Sequence, residues 1–154
     1  MIVAIDPGAS GAIAVFDYMK GHLSVQDMPV MEITRNGKTK REISAPLLAN
    51  MLRQVMPEKV ILERVGAMPG QGVSSMFQFG RGVGMIEGVL ATLMMPIVYV
   101  TPQAWQKAAG VRGGKDGSRM RAIELFPNYA GLFSLKKHDG RADAALMAWY
   151  GATK

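Results

Sequence analysis

The chain has 154 residues, of which 49% are apolar and none is cysteine, and it carries a formal net charge of +6. This composition excludes a disulfide framework, a cysteine-ligated zinc site and intrinsic disorder, and it predicts one globular domain over residues 1–154. The longest apolar stretch, residues 83–100, is interrupted by Glu87 and Pro96, so we expect a protein of the cytoplasm without a membrane span. The excess of Lys and Arg is typical of a protein with a polyanionic partner.

The first seventeen residues contain two apolar runs separated by a turn. Residues 2–5 precede Asp6-Pro7-Gly8, and the second run covers residues 12–16. Proline fixes φ and glycine permits positive φ, so the pattern predicts a β-hairpin. Asp6 would lie where the first strand leaves the core, where an unpaired charge is costly. On this stretch alone, the simplest interpretation of Asp6 is a turn cap.

Residues 21–58 predict a strand, a polar connection and a helix. An alternating pattern predicts a third strand over residues 21–28. The polar segment 28–41 contains an Asn-Gly turn signal at residues 35–38, which indicates a small exposed hairpin. Ser44 is a helix N-cap candidate, and Pro57 stops the helix that follows it.

Residues 59–95 predict a buried strand and a long helix. The strand covers residues 59–62 and ends at Glu63, a second carboxylate at the end of a strand. The helical pattern runs from residue 73 to 95 and contains four glycines: Gly80, Gly82, Gly84 and Gly88. Glycine weakens a helix but lets another backbone come close, so we expect this helix to contact the sheet, a second subunit or a nucleic acid.

The remaining chain predicts one strand over residues 97–100 and three helices over residues 103–109, 118–126 and 139–151. Thr101-Pro102 is the predicted cap of the first of these helices, and Ser118 is the predicted cap of the second. Residues 127–135 are expected to form a loop or a broken helix. A meander followed by β-α-β units predicts the α/β class, with a mixed sheet of five strands flanked by helices.

Acidic residues stand at the ends of several predicted elements. Asp6 and Glu63 end two strands that we expect to be neighbours, and Asp139 and Asp143 open the last helix. Converging carboxylates repel one another unless a cation lies between them, and their hard oxygen ligands suit Mg²⁺ or Mn²⁺. Two such ions can activate water and stabilise the leaving oxygen of a phosphodiester. Together with the basic charge, this indicates a metal-dependent nuclease.

The same segments resemble the RuvC-type Holliday-junction resolvases, within the RNase H-like nuclease superfamily. The matching segments are Ile5-Asp6-Pro7-Gly8, Val60 to Glu63, Phe79 to Gly84, Val100-Thr101-Pro102 with Lys107 following, and Arg141 to Ala145. They occur in the family's order over nearly the whole chain. The resemblance implies an RNase H-like fold and a crossover junction endodeoxyribonuclease that cleaves four-way and other branched DNA with two Mg²⁺ or Mn²⁺ ions.

The resemblance also implies a set of metal ligands. Asp6, Glu63 and Asp143 match the family's acids directly. The family usually spaces its last two acids three residues apart, which falls here on Gly140. Asp139, four residues before Asp143, still shares a helix face with it and is our fourth ligand. His138 is the alternative ligand, and it is equally well explained as an exposed polar residue before the helix.

Basic residues are expected to contact the DNA. Lys107 is a candidate mainly through the resemblance, whereas Arg112, Lys115 and Arg119 are candidates because they cluster in a loop at a predicted helix start. Lys107 and Lys115 are candidates for stabilising the scissile phosphate. The DNA-binding candidates are Lys107, Arg112, Lys115, Arg119, Arg81, Lys136 and Lys137. Paired nicks require two active sites, so we expect a homodimer that associates through the helix over residues 73–95.

The chain departs from the family at the aromatic residue that many resolvases place after the second acid. Arg64 to Met68 contains no aromatic side chain. Phe77 or Phe79 is a possible replacement, although aromatics at helical spacing are more often in the core. Trp105 and Trp149 are interpreted as packing residues.

Three other functions fit parts of the pattern. A general RNase H-like nuclease acting on flaps or hybrids would use the same metal chemistry. A non-catalytic branched-DNA-binding module would keep the fold and the basic face, but acids near a phosphate groove weaken binding unless a metal is present. An ATPase of the actin-like class needs two such domains, and this chain is too short for both.

Overall fold

The computed structural model describes residues 1–67 and 69–154, apart from the side chain of Arg35. Met68, the last residue of the segment considered above for an aromatic wedge, lies outside the described residues. The strands are β1 (Ile2–Asp6), β2 (Ala12–Asp17), β3 (His22–Asp27), β4 (Val30–Arg35), β5 (Lys38–Ile43), β6 (Lys59–Glu63) and β7 (Ile97–Val100). The helices are α1 (Ala45–Leu52), α2 (Val73–Thr92), α3 (Pro102–Ala109), α4 (Gly117–Leu125) and α5 (Asp139–Ala152). Short 3₁₀ helices cover Pro127–Phe133 and Lys136–His138.

The central sheet has five strands in the order β3-β2-β1-β6-β7. β1 pairs antiparallel with β2 and parallel with β6, and β6 pairs parallel with β7. The register places Ile5 opposite Leu62, so the next residues, Asp6 and Glu63, leave the sheet side by side. The predicted mixed five-stranded sheet, with its first strand beside the strand that ends at Glu63, is confirmed.

Helices cover both faces of the central strand β1, which is why its apolar run is nearly continuous rather than alternating. Ile2 and Ala4 belong to the core under α5, whereas Val3 and Ile5 belong to the core under α1 and α2. Small residues let α5 lie close against the sheet. At Gly151, an added Cβ would stand 2.7 Å from a side-chain atom of Ile61. This packing fixes the start of α5 at the edge where Asp6 emerges.

The polar segment after β3 forms the small hairpin that the Asn-Gly signal predicts. Its strands β4 and β5 make a separate two-stranded sheet. Asn36 and Gly37 have φ of 51° and 71°, as a type I′ turn requires. The Thr34 and Thr39 hydroxyl oxygens are 2.9 Å apart across the ladder. The base of the hairpin is anchored by Ile43, which is buried in the core under α1 and α2.

Helix boundaries differ from the prediction at three places. α1 ends at Leu52 although apolar spacing continues to Val55, and α2 ends at Thr92, shortly before Met94 adopts a φ of 54°. α4 begins at Gly117 with Asp116 at the N-cap, so Ser118 lies inside the helix and is not its cap. A Cβ at Gly117 would lie 2.0 Å from the Arg112 carbonyl oxygen, so the chain can enter α4 this way only with glycine.

No helix in the two described ranges, 1–67 and 69–154, combines the length and apolar character needed to cross a bilayer.

Candidate active site

Asp6 lies at a close approach of the backbone, where β1 ends and the turn to β2 begins. The turn is closed by a 3.0 Å hydrogen bond from the Gly11 N–H to the Gly8 carbonyl. A Cβ at position 11 would lie 2.0 Å from the Asp6 carbonyl oxygen, so only glycine lets the chain return so closely. Arg41 of β5 also donates to the Ala9 carbonyl at 2.5 Å. These contacts hold the Asp6 carboxylate at the sheet edge.

Glu63 is held by an indole. Trp105 Nε1–H donates to Glu63 Oε1 at 2.8 Å, and Trp105 itself is only 1% exposed. The arrangement follows from the sheet, because Val100 pairs with Glu63 and α3 begins two residues later. The prediction that Trp105 only packs is therefore incomplete. A buried indole N–H needs an acceptor, and that rule was the available signal.

Asp143 lies one turn into α5 and completes the group. Its Oδ1 atom is buried and has no hydrogen-bond partner among the described residues. Burial raises the Asp143 pKa, whereas interaction with the nearby Ser118 hydroxyl of α4 lowers it. A buried carboxylate oxygen without a donor is costly, so this oxygen is suited to bind a cation.

The acids at this edge shift one another's pKa. Burial, together with the Asp143 and Glu63 carboxylates, raises the pKa of Asp6 from 3.8 to about 8. Burial, together with the Glu63 and Asp139 carboxylates, raises the pKa of Asp143 from 3.8 to about 6. Burial also raises the pKa of Glu63, against the opposing hydrogen bond from Trp105. The predicted acids are thus brought within electrostatic reach of one another.

Gly140 occupies the position at which the family spacing calls for an acid. A Cβ there would lie 2.8 Å from Asp6 Oδ2 and 2.7 Å from the Ser10 carbonyl oxygen. Position 140 therefore faces Asp6 directly, but the backbone is too close for a side chain. Asp139 projects beside it, exposed, with its Oδ1 2.7 Å from Arg119 Nε. This contact is an ion pair that lacks hydrogen-bond geometry, because Arg119 Nε remains without a hydrogen-bond partner among the described residues.

His138 is buried rather than exposed, so the interpretation of an exposed polar residue is wrong. Its Nδ1 atom accepts a 3.3 Å hydrogen bond from the Leu135 N–H. Burial lowers its pKa, and the nearby Arg141 and Lys137 cations lower it further. A neutral imidazole with one nitrogen engaged by the backbone is a local structural element, and Asp139 stays our choice for the fourth ligand.

Within residues 1–67 and 69–154, no three His, Asp or Glu side chains are gathered closely enough to hold a metal ion as they stand.

The predicted basic residues differ in where they lie relative to the acids. Lys107 is exposed on α3, two residues after Trp105, and residues two apart do not share a helix face. It therefore points away from the side of α3 that contacts Glu63. Arg112 and Lys115 line an open hollow of about 360 Å³ before α4. Lys115 is three residues from Ser118, so its loop leads directly to Asp143.

The other predicted DNA-binding residues have varied surroundings. Arg119 pairs with both Asp116 and Asp139, so its charge is directed at the candidate ligand. Arg81 of α2 pairs with Glu42 at 3.0 Å. Lys136 and Lys137 are exposed in the 3₁₀ turn that precedes α5.

The aromatic side chains considered above differ in how far they are buried. Phe77 is 68% exposed on α2 and is not a core residue. Phe79 is partly buried, and its ring lies 3.7 Å from where a Cβ on Gly8 would stand, beside the Asp6 turn. Trp149 is partly buried against the core under α5, as its interpretation as a packing residue requires.

The Asp6 pKa predicts a pH-dependent gain in stability for Asp6→Asn. In the folded state Asp6 keeps its proton up to about pH 8, whereas its ordinary pKa is 3.8. The folded state therefore binds more protons between these values, and stability falls as pH rises through this window. In EDTA at pH 8.5, we expect Asp6→Asn to raise the free energy of unfolding by at least about 1 kcal/mol, or roughly 2–4 °C in Tm.

The difference should vanish near pH 4, and calorimetric melts across the pH range measure it. Asp17→Asn is the matched control, because Asp17 lies at the opposite end of β2 and pairs with Lys20. A pH-independent difference, or an equal gain in the control, would contradict the assignment of a desolvated carboxylate at Asp6.

Comparison with known proteins was made on the whole chain. No protein-family model and no curated protein matches it. Among solved structures, RuvC of T. thermophilus in complex with a Holliday junction substrate has a TM-score of 0.63 at 16% identity, covering 98% of this chain and 91% of that one. A Thermus thermophilus RuvC structure gives 0.56 at 14% identity, with coverage of 99% and 95%. Fowlpox virus resolvase, in complex with its substrate Holliday junction DNA, gives 0.55 at 18% identity, covering all of both chains. The chain therefore has the RNase H-like fold of RuvC and the fowlpox resolvase.

Proposed function

We propose that this protein is a metal-dependent, structure-specific endonuclease that cleaves DNA phosphodiesters at four-way junctions. The observation that carries the proposal is the group of desolvated acids, Asp6, Glu63 and Asp143, at one edge of a sheet with the RuvC fold. An edge that costs stability in this way is maintained for chemistry rather than for folding. Two of the similar structures contain Holliday junction DNA, which favours a branched substrate over a general nuclease.

The donor set fits hard divalent cations. Asp6, Glu63 and Asp143, with Asp139 at the rim, would hold Mg²⁺ or Mn²⁺, and the unpartnered Asp143 Oδ1 is a ready ligand atom. Two bound ions would supply a water of lowered pKa and neutralise charge at the departing oxygen. The chain's own contribution is to present these carboxylates on rigid elements and to exclude competing donors. Asp6 must release its proton before it can ligate, so ligation and deprotonation are coupled.

Trp105 is proposed as a positioning residue for Glu63. Its N–H occupies Oε1, which fixes the carboxylate rotamer and leaves Oε2 for the cation. Arg119 differs from Trp105 in that it balances the charge of the exposed Asp139 through an ion pair. For the scissile phosphate, the position of Lys115 before α4 favours it over Lys107, which lies on the far side of α3.

A homodimer through α2 is part of the proposal. Val73 and Phe77 are 88% and 68% exposed, and they share a helix face with three glycines. A Cβ added at Gly80, Gly84 or Gly88 would meet no atom of the described residues within 4 Å. These glycines weaken the helix without serving a contact to any described part of the subunit, which supports a role in close approach by a second copy. Two active sites are needed to nick a junction symmetrically.

Trp105→Phe should weaken metal binding while leaving the fold intact. The indole ring is replaced by a similar apolar ring, but Glu63 no longer has its donor, and removal of such a donor typically costs 10–100-fold in metal affinity. We expect a Mn²⁺ dissociation constant raised by about tenfold or more in calorimetric titration of the DNA-free protein. Trp149→Phe is the control, since Trp149 packs on the core away from Glu63. Equal dissociation constants for the two variants would refute the positioning role.

Junction cleavage tests the activity directly. A synthetic four-way junction and a linear duplex with the same arm sequences are incubated with protein in Mg²⁺ and in EDTA. We expect paired nicks only in the junction and only with Mg²⁺, and Asp6→Asn should reduce the rate at least about 1000-fold, roughly 4 kcal/mol of barrier. Because Asp6→Asn is expected to be more stable than the wild type, its inactivity cannot come from unfolding.

Equal cutting of both substrates would instead identify a general nuclease. Tight junction binding with no cutting in either metal, Mg²⁺ or Mn²⁺, would identify a binding module.

Gly84→Glu should separate the dimer. The subunit has room for the side chain, but a charge enclosed against α2 of a second copy costs several kcal/mol. Sedimentation velocity at micromolar concentration should show a wild-type dimer and a monomeric variant. Ala108→Glu places the same charge at an exposed small residue of α3 and should remain dimeric. A monomeric wild type, or a variant that still dimerises, would count against this interface.

A further inference from the structure

The β4–β5 hairpin is a basic projection that the core does not require. It is attached near its base, where Ile43 is buried, Glu42 pairs with Arg81 and Arg41 donates to the Ala9 carbonyl. None of the described side chains from Met31 to Arg41 is buried. Four of its residues are Lys or Arg and two are Glu. A hairpin that stabilised the fold would bury apolar surface. Because this hairpin buries little, we expect it to contact another molecule.

The two lysines of the hairpin share one face of β5. Lys38, Lys40 and Glu42 alternate with Thr39 and Arg41 along the strand, and side chains two residues apart point the same way. Glu42 is neutralised by Arg81 at 3.0 Å. In the part of the chain that the structure describes, neither Lys38 nor Lys40 makes an ion pair. Two like charges on one strand face, with the nearby acid already paired, favour an external anion.

Two hollows lie between this face and the turn that follows Asp6. The first, about 200 Å³, lies between the Asp6 turn, β5 and α2, and Gly8, Arg41 and Arg81 line it. The second, about 290 Å³, includes Lys38 and Lys40. The hollows share Glu42 and Gln78 as lining residues, so they adjoin, and we call the two together the track. Arg41 fixes the hairpin to this track through its hydrogen bond to the Ala9 carbonyl.

We propose that the β4–β5 hairpin is a DNA-binding arm that holds the sugar-phosphate backbone of the duplex leading away from the scissile phosphate. The proposal rests on the proposed function and adds a second DNA contact to it. A phosphate backbone matches the track because it carries one negative charge per about 1.7 Å of duplex axis and needs no specific base contact. Lys38 and Lys40 would each neutralise one phosphate outside the catalytic edge.

Junction binding of Lys38→Gln/Lys40→Gln tests the arm. Both side chains are exposed, so the fold is not at risk. Fluorescence anisotropy in EDTA, which prevents cutting, gives the dissociation constant over a range of salt concentrations. We expect about tenfold weaker binding and a plot of log K against log salt that is less steep by roughly 1–2, because each neutralised phosphate contributes about 0.9 to that slope.

The matched control is Lys20→Gln/Lys154→Gln, which removes the same charge at the opposite end of the molecule. Lys20 lies in the turn after β2, and Lys154 follows α5, whose 14 residues carry the chain about 20 Å from the acidic edge. Its salt dependence should equal that of the wild type. Equally weakened binding in both double variants would show an effect of net charge alone and would refute the proposal that the hairpin is a DNA-binding arm.

A single-thiol cross-link gives the position of the contact. The chain has no cysteine, so Lys38→Cys carries one attachment point for a photoreactive aryl azide. We expect adducts within a duplex arm, several base pairs from the junction centre, and none from Lys20→Cys. If the wild type cuts junctions but Lys38→Cys gives no adducts, the proposal of a DNA-binding arm is wrong and the proposed nuclease function stands. If the wild type binds no DNA, both the arm and the nuclease function are wrong.

Discussion

The close approach of three backbone segments around the Asp6 carboxylate is the constraint on which the structure depends. β1 delivers the residue, the turn before β2 returns over it, and α5 begins against it. Gly11 and Gly140 make this possible, since a Cβ at either position would collide with Asp6 or its neighbours. Desolvation and the neighbouring Asp143 and Glu63 carboxylates raise the Asp6 pKa to about 8. The fold thus gives up stability to place a carboxylate where its charged form is poorly solvated.

The acids at this edge of the sheet differ in whether a cationic side chain pairs with them. Asp139, at the rim, has Arg119, whereas no described side chain forms an ion pair with Asp6, Glu63 or Asp143. Glu63 has a neutral donor in Trp105, which orients the carboxylate without cancelling its charge. A cationic partner at these three positions would fill the site that the ions are proposed to take. The basic side chains are instead distributed over the surrounding loops and the hairpin, where an incoming backbone would meet them.

Sequence patterns predicted the parts of the site that depend on strands. Apolar runs ended by Asp6 and Glu63 are local features, and parallel pairing follows from β-α-β order. Trp105 and Gly140 could not be predicted in this way, because their roles depend on which atoms face one another across elements far apart in sequence. The family spacing pointed to position 140 and the structure shows that it does face Asp6, but backbone proximity leaves no room for an acid. Asp139 is the neighbouring acid that we propose in its place, and its position relative to Asp6 depends on how α5 packs against the turn after β1.

One helix, α2, connects the proposed contacts with partner and substrate. Its inner face receives the hairpin, since a Cβ at Gly82 would stand 3.1 Å from Ile43 and Arg81 holds Glu42. Its outer face presents Gly80, Gly84 and Gly88 to solvent. Glycine on the inner face serves an approach inside the subunit, and glycine on the outer face serves the approach that we propose between subunits. A second copy docked on the outer face would fix the two hairpins relative to each other, and with them the angle between the two duplex arms that they are proposed to hold.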